Sequence, residues 1–380
     1  MTALPFVRAL DSGRFRLLVA GLLFVVGLLG LGGYLVSRAS EPLEVGQFGI
    51  DFADYHAAAV RISQGISPYD PVMLAGPIAA EGTDRYRYPP PFAQLLLPLA
   101  GLPVLTATWI WLAIQSVCLL AATWLAGTAA GLPRSVERLL WSGAAVTWFL
   151  PDLDALWKGN LSGVQTLFVA LLLAPAGAAG GAAAANGLLK LTPAAMAPIA
   201  LLRSRRDAVA LVVVTIAVVA ASLLLAPPAA WSDYLTVVGN LLRGSADYPA
   251  NLAPAQQLGV VLGLGAPWSD VVRLATLGLG LGLLGLGLVW ARRPGGWPGA
   301  ATAGVAGMLL LPAAIWFHYL ALLLPLAVFA WARATRRQRA ALAIGGGAVS
   351  VGVAWLPLAL GGAFVLVGAA LVALRPGPRA

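Results

Sequence analysis

Leu17-Leu18-Val19-Ala20-Gly21-Leu22-Leu23-Phe24-Val25-Val26-Gly27-Leu28-Leu29-Gly30-Leu31-Gly32-Gly33-Tyr34-Leu35-Val36 is an apolar run without a charged residue. A helix needs about 20 such residues to cross the hydrocarbon core of a bilayer, and this run is long enough. It is long for a secretory leader and lacks a clear small-residue cleavage site, so it reads as a retained first membrane helix. Arg8, Arg14 and Arg16 precede it, which keeps that end cytoplasmic and sends the helix outward.

The rest of the chain has the same character. Of 380 residues, 60% are hydrophobic and 10% charged, whereas a soluble domain has about a quarter of its residues charged. In lipid every backbone group must be bonded internally, which leaves helices or a closed barrel. The apolar runs are continuous rather than alternating, which excludes a barrel. The expected fold is all-α: a polytopic membrane protein of about 10–12 transmembrane helices, forming one domain over 1–380. The single cysteine, Cys118, excludes an intrachain disulfide and a cysteine metal site.

Outward from the first run, residues 38–89 form a first external segment. Asp51 to Gln64 has apolar positions Phe52, Tyr55, Ala59 and Ile62 at helical spacing, which predicts an amphipathic helix lying on the membrane. Pro89-Pro90-Pro91 marks the re-entry. Phe92 to Ala100 either crosses alone or only caps the full-length run Thr106 to Ala126. Leu139 to Leu150 leads outward to an external stretch Pro151 to Asn160, and Leu161 to Ala176 returns. Gly181 to Leu202 is long enough to span once, but that would put Arg203, Arg205 and Arg206 outside, against the positive-inside tendency. A helix that rises to Lys190, breaks at Thr192-Pro193 and descends again resolves the conflict. Such breaks are tolerated only where the freed backbone is buried or lines a cavity. Asp207 to Ala226, Val271 to Trp290, Ala300 to Trp316, His318 to Trp331, Ala341 to Leu356 and Leu360 to Leu374 complete the spans. Trp231 to Asn251 is a second external segment, and Ala255 to Leu264 dips towards the membrane.

This topology puts the arginines at 8, 14, 16, 134, 138, 203, 205, 206, 292, 293, 333, 336, 337, 339, 375 and 379 on one side, with Asp11, Glu137 and Asp207 as its acids. The net charge of +9 is therefore an orientation signal and not a nucleic-acid footprint, which needs a basic face with base contacts.

Acids are scarce: Asp and Glu total 15. Two of them, Asp51 and Asp54, stand three apart just after the first span and share a helix face. Asp51, at the membrane edge on the non-cytoplasmic side, is the candidate base; two solvated acids is the competing reading. Lys190 lies far from either end of an apolar run and beside a proline, where a charge is expensive and points to function, unless it snorkels to the interface. His318 ends an outward helix within Trp316-Phe317-His318-Tyr319, and a lone histidine there is open between packing and chemistry. Asp152 and Asp154 have a weak claim to a divalent cation. Arg85 and Arg87, interleaved with Tyr86 and Tyr88, suit a phosphate or a stacked sugar, or equally a solvated loop.

Asp51-Phe52-x-x-Tyr55, Pro68-Tyr69, Tyr86-x-Tyr88-Pro89-Pro90, Gly159-Asn160-Leu161-Ser162-Gly163, Gly187-Leu188-Leu189-Lys190-Leu191-Thr192-Pro193 and the late His318-Tyr319 follow one another in an order that resembles glycosyltransferase family 87. That family belongs to the GT-C superfamily of polytopic membrane enzymes. The resemblance implies a polyprenyl-phosphate sugar donor, with mannose as the sugar and arabinofuranose as its nearest competitor. It implies a lipid-linked or glycan acceptor, membrane lipids as further partners, no nucleic acid and no cofactor, with no metal-binding residue assigned and metal dependence left open. It implies Asp51 as the catalytic base and Lys190 and His318 at the donor phosphate. Asp54, Tyr55, Arg85, Arg87, Tyr88 and Asn160 are the candidate substrate contacts. The expected place is a bacterial plasma membrane, with the active site on its outer side and both termini inside. A lipid or sugar transporter is the rival reading.

Overall fold

The computed structural model describes residues 13–41, 48–79, 85–244, 246 and 248–377. Arg8, Asp11 and Arg379 of the charge inventory, and parts of the first external segment, lie outside these. The described residues contain helices and no strand, as a lipid-embedded backbone requires.

Helix α1 (Gly13–Ser40) is followed by α2 (Ile50–Ser63), the short α3 (Pro71–Leu74) and α4 (Pro90–Leu95). Then come α5 (Val104–Ala129), α6 (Val136–Trp148), α7 (Leu150–Lys158), α8 (Ser162–Leu172) and α9 (Ala178–Leu189). A 3₁₀ turn (Thr192–Met196) leads into α10 (Ala197–Leu201), α11 (Arg205–Leu225), α12 (Ala230–Arg243), α13 (Pro254–Leu262), α14 (Ala266–Ala291) and α15 (Trp297–Leu309). A second 3₁₀ stretch (Phe317–Leu323) precedes α16 (Leu324–Arg333), α17 (Arg336–Val351) and α18 (Leu356–Ala373). Among the described residues five helices, within α1, α5, α11, α14 and α18, are long and apolar enough to cross a membrane alone. The chain is a polytopic helical membrane protein.

The break at Thr192-Pro193 is present. Helix α9 stops at Leu189, Lys190 is extended at φ −152°, ψ 133°, and the chain turns back through the 3₁₀ segment. Gly187 is where the two arms meet: a Cβ there would stand 2.9 Å from Ala194 Cα. The 11 residues of α8 and 12 of α9 rise about 1.5 Å each, roughly half of the ~30 Å hydrocarbon thickness. Both are packed inside protein, through Val169, Ala170, Ala179 and Ala183, so their exposed ends need not meet lipid.

Two expectations are corrected, and two stretches that the sequence left open are resolved. Helix α2 does not lay its apolar face on the membrane. Phe52, Tyr55, Ala59 and Ile62 are buried in an aromatic cluster with Tyr69, Tyr86, Tyr88, Phe92 and Trp111, because these rings offer a protein surface for them to bury against. Of the two readings left open for the piece after Pro89, crossing alone is excluded: α4 has six residues, about 9 Å of helix, and its Phe92 packs against Trp111 of α5. The stretch 151–160, read from the sequence only as external, is largely α7, a nine-residue helix closed by Gly159 in the left-handed conformation. The span expected over 300–316 ends at Leu309, and residues 310–316 are irregular before the 3₁₀ turn that carries His318.

Candidate active site

The site forms where the ends of α2, α7, α9 and the second 3₁₀ turn converge. Helix α2 is anchored first. Gly49 N–H donates to Trp157 O at 2.8 Å, and Trp111 Nε1 donates to Gly159 O at 2.8 Å. Gly159 needs its φ of +68°, and a Cβ there would lie 2.6 Å from Phe52 Cβ. Only glycine lets α2 approach the end of α7 this closely. Asp51, in the first turn of α2, is thereby brought to Asn160.

Asn160 is held in one orientation. Its Oδ1 accepts from Ser162 N–H at 3.0 Å and Ser162 Oγ at 2.7 Å. Its Nδ2 is then the donor, to Asp51 Oδ2 at 2.6 Å and Tyr55 Oη at 3.2 Å. Tyr55 Oη also meets Tyr88 Oη at 3.1 Å. Gln115 donates to Asn160 O and accepts from Val164 N–H. Trp111 and Gln115, about two and three turns into α5, brace the Gly159-Asn160 backbone from that helix.

Lys190, 8% exposed, follows the end of α9. Its Nζ stands 3.5 Å from the centroid of the Tyr319 ring and 5.5 Å from that of Tyr88, a cation held over aromatic faces. No ion pair of Lys190 within 4 Å occurs among the described residues. The field of Asp51 reaches Lys190, His318 and Tyr319, and that of Arg87 reaches Lys190 and Tyr319.

His318 is 2% exposed. Its Nδ1 lies 3.0 Å from Asp154 Oδ2, while Nε2 is buried with no partner among the described residues. Asp154 also accepts from Lys158 Nζ at 3.1 Å and Trp157 Nε1 at 3.0 Å. Burial alone would raise the Asp154 carboxyl; the hydrogen bond to His318 and the Lys158 ammonium outweigh it and hold it down at about 2.

Of the residues expected at the site, Asp51, Tyr55, Arg87, Tyr88, Asn160, Lys190 and His318 are brought together. Asp54 sits half-buried one turn further along α2. Arg85 is exposed and paired with Asp70 Oδ2 at 3.5 Å. Asp152 and Asp154 do not share an ion, because residues two apart on a helix face different ways. Asp152 is fully buried with neither oxygen bonded among the described residues, and burial pushes its carboxyl well above the ordinary range. Among the described residues no group of three or more His, Cys, Asp or Glu could hold a metal. His56 is structural: its Nε2 is 3.1 Å from both Leu99 O and Leu102 O. The Asp154–His318 contact, the Tyr319 platform and the Trp111 and Gln115 braces carry no local sequence signal, since each joins segments far apart in the chain.

A helical membrane protein with a carboxylate, a lysine and a histidine gathered at one end of half-length helices is the class that fold and site define. Family comparison makes it particular. The model of glycosyltransferase family 87 matches residues 86–315, more than half of the chain, and the chain belongs to that family. It is a membrane glycosyltransferase. The match covers Arg87, Tyr88, Asn160 and Lys190; Asp51 and His318 lie outside it. No curated protein and no solved structure matches the chain.

Proposed function

We propose that this glycosyltransferase moves a hexose, mannose by preference, from a polyprenyl-phosphate donor to a lipid-linked or glycan acceptor, with inversion. The observation that supports this most is that the field of Asp51 reaches Lys190 while, among the described residues, no partner charge within 4 Å neutralises Lys190. A donor with a membrane-embedded tail and an anionic leaving group suits a lysine set at depth.

In this reading Lys190 and His318 hold the donor phosphate, and their positive charge stabilises it as it departs. Asp51 takes the proton of the acceptor hydroxyl while that oxygen attacks the anomeric carbon and the carbon–phosphate oxygen bond breaks. Base assistance of this kind is worth roughly 10²–10⁴-fold. One displacement inverts the centre, so a β-linked donor gives an α-linked product without a nucleotide or a covalent enzyme intermediate. Tyr55, Tyr88, Asn160 and Arg87 line the sugar and phosphate positions, with Asp54 and Arg85 as outer contacts. The whole chain acts as one unit, with 38–89 supplying the base. The positive-inside tendency favours cytoplasmic arginine-bearing helix ends, and this supports a site on the outer side of a bacterial plasma membrane.

The test is transfer from labelled polyprenyl-phosphate mannose in membranes holding wild-type protein or Asp51→Ala, both first shown to elute as one species in detergent. Transfer lost only in the variant supports the reading. Equal transfer removes Asp51 as base. No transfer by wild type removes the mannose donor; arabinofuranose donors, and then a transport assay, follow.

A further inference from the structure

Asp154 takes no part in the transfer step itself, yet its placement assigns it a role, one that rests on the reading of His318 as a phosphate contact. Asp154 on α7 receives Lys158 Nζ and Trp157 Nε1, both donors, and its remaining close neighbour is His318 Nδ1 at 3.0 Å. A carboxylate in ionised form only accepts, so Nδ1 carries the proton and neutral His318 presents a bare lone pair at Nε2. That atom is buried and unpartnered among the described residues. A lone pair there repels a phosphate oxygen. It becomes a donor only when the ring takes up a second proton.

We propose that Asp154 is a positioning residue that fixes the Nδ1–H tautomer of His318 and supplies the counter-charge for its imidazolium, so that binding of an isoprenyl phosphate is coupled to uptake of one proton at Nε2. The proton comes from water, and the new contact is Nε2–H to a phosphate oxygen; no covalent bond between heavy atoms changes in this step. The charged groups that face His318 are Asp154 and Lys158 from α7 and Asp51 from α2, with Tyr319 adjacent and Lys190 stacked on it. Helices α8, α15 and α18, which also pack against this 3₁₀ turn, carry no titratable side chain, and Arg333 lies at the far end of α16. Asp154 and Asp51 are therefore the acids that favour the imidazolium, against Lys158 and Lys190, and Asp154 alone among them bonds the ring.

The chain has two histidines, so ¹⁵N-histidine spectra of the detergent-solubilised protein resolve His318 directly, with His318→Gln assigning it. In wild type the expected resting state is protonated Nδ1 and bare Nε2, and saturating farnesyl phosphate converts the ring to imidazolium. Asp154→Asn, nearly isosteric, moves the resting proton to Nε2 and abolishes the conversion; Asp154→Glu restores both in part. A wild-type ring protonated at Nε2 at rest, no response to farnesyl phosphate, or the same response in Asp154→Asn overturns the proposal. In transfer assays Asp154→Asn is expected to raise the donor KM about tenfold with a smaller effect on kcat, and to move the alkaline rise of that KM to lower pH. An unchanged KM and pH profile also overturns it. If the spectra behave as expected while wild type transfers no sugar from the mannose donor, the mannose reading fails and the coupling of phosphate to His318 stands.

Discussion

Asn160→Asp separates the part of Asn160 that builds the turn from the part that serves the site. The Asp side chain keeps the oxygen that accepts from Ser162 N–H and Oγ, so the start of α8 retains its local bonds. The other end changes from a donor to a second carboxylate oxygen at the position 2.6 Å from Asp51 Oδ2. A hydrogen bond to a charged group is worth about 1.5–3 kcal/mol, or roughly 10–150-fold in rate where it supports the transition state. Two carboxylates at this distance cannot both ionise freely, and one of them is strongly raised. The expected result is transfer lowered by roughly 10²-fold or more at neutral pH. With the base raised, the acid limb of kcat/KM should move to higher pH by about one unit or more. The assay is transfer from the labelled isoprenyl-phosphate sugar between pH 5 and 9, with the melting temperature in detergent as control. A melting temperature close to wild type together with an unshifted acid limb and unchanged kcat/KM would refute the claim that Asn160 sets the working state of Asp51.

Three further outcomes are expected. Gly159→Ala forces a side chain to φ +68° and to within 2.6 Å of Phe52 Cβ; it should destabilise by about 2–4 kcal/mol and reduce transfer by moving α2, read by thermal unfolding and activity together. Lys190→Gln removes the cation over Tyr319 and should lower transfer roughly 10²–10³-fold with little change in melting temperature, whereas equal activity would exclude contact with the leaving phosphate. Asp154, held at about 2 against an ordinary 3.8, contributes stability that is complete above about pH 4 and lost as pH falls towards 2, on the order of 2 kcal/mol; Asp154→Asn should flatten that part of the stability–pH curve.

The transmembrane character needed only composition and run length, because lipid leaves a spanning backbone few alternatives and the apolar run that satisfies them is local. The break at Lys190-Leu191-Thr192-Pro193 was legible for a similar reason: a proline removes a helix donor, and Arg203, Arg205 and Arg206 had to stay with the other arginines. The candidate residues Asp51, Lys190 and His318 could be picked out as polar groups in an oily chain, and Asn160 through the family resemblance. Their assembly could not. The approach of α2 to α7 depends on the space above Gly159, and the orientation of Asn160 on Ser162, but what they meet, Phe52 and Asp51, lies more than a hundred residues earlier. The pairing of His318 with Asp154 spans 164 residues, and Asp154 had looked like half of a weak cation site beside Asp152. Amphipathic spacing in α2 foretold a buried face but not its partner, since water, lipid and an aromatic cluster all accept the same stripe. Sequence alone determined that the chain is a helical membrane protein and which polar residues are out of place in it, because both follow from the solvent each residue must tolerate. Tertiary structure decided which of those residues touch and which nitrogen of His318 is left bare, because contacts between distant segments depend on how close the backbones come.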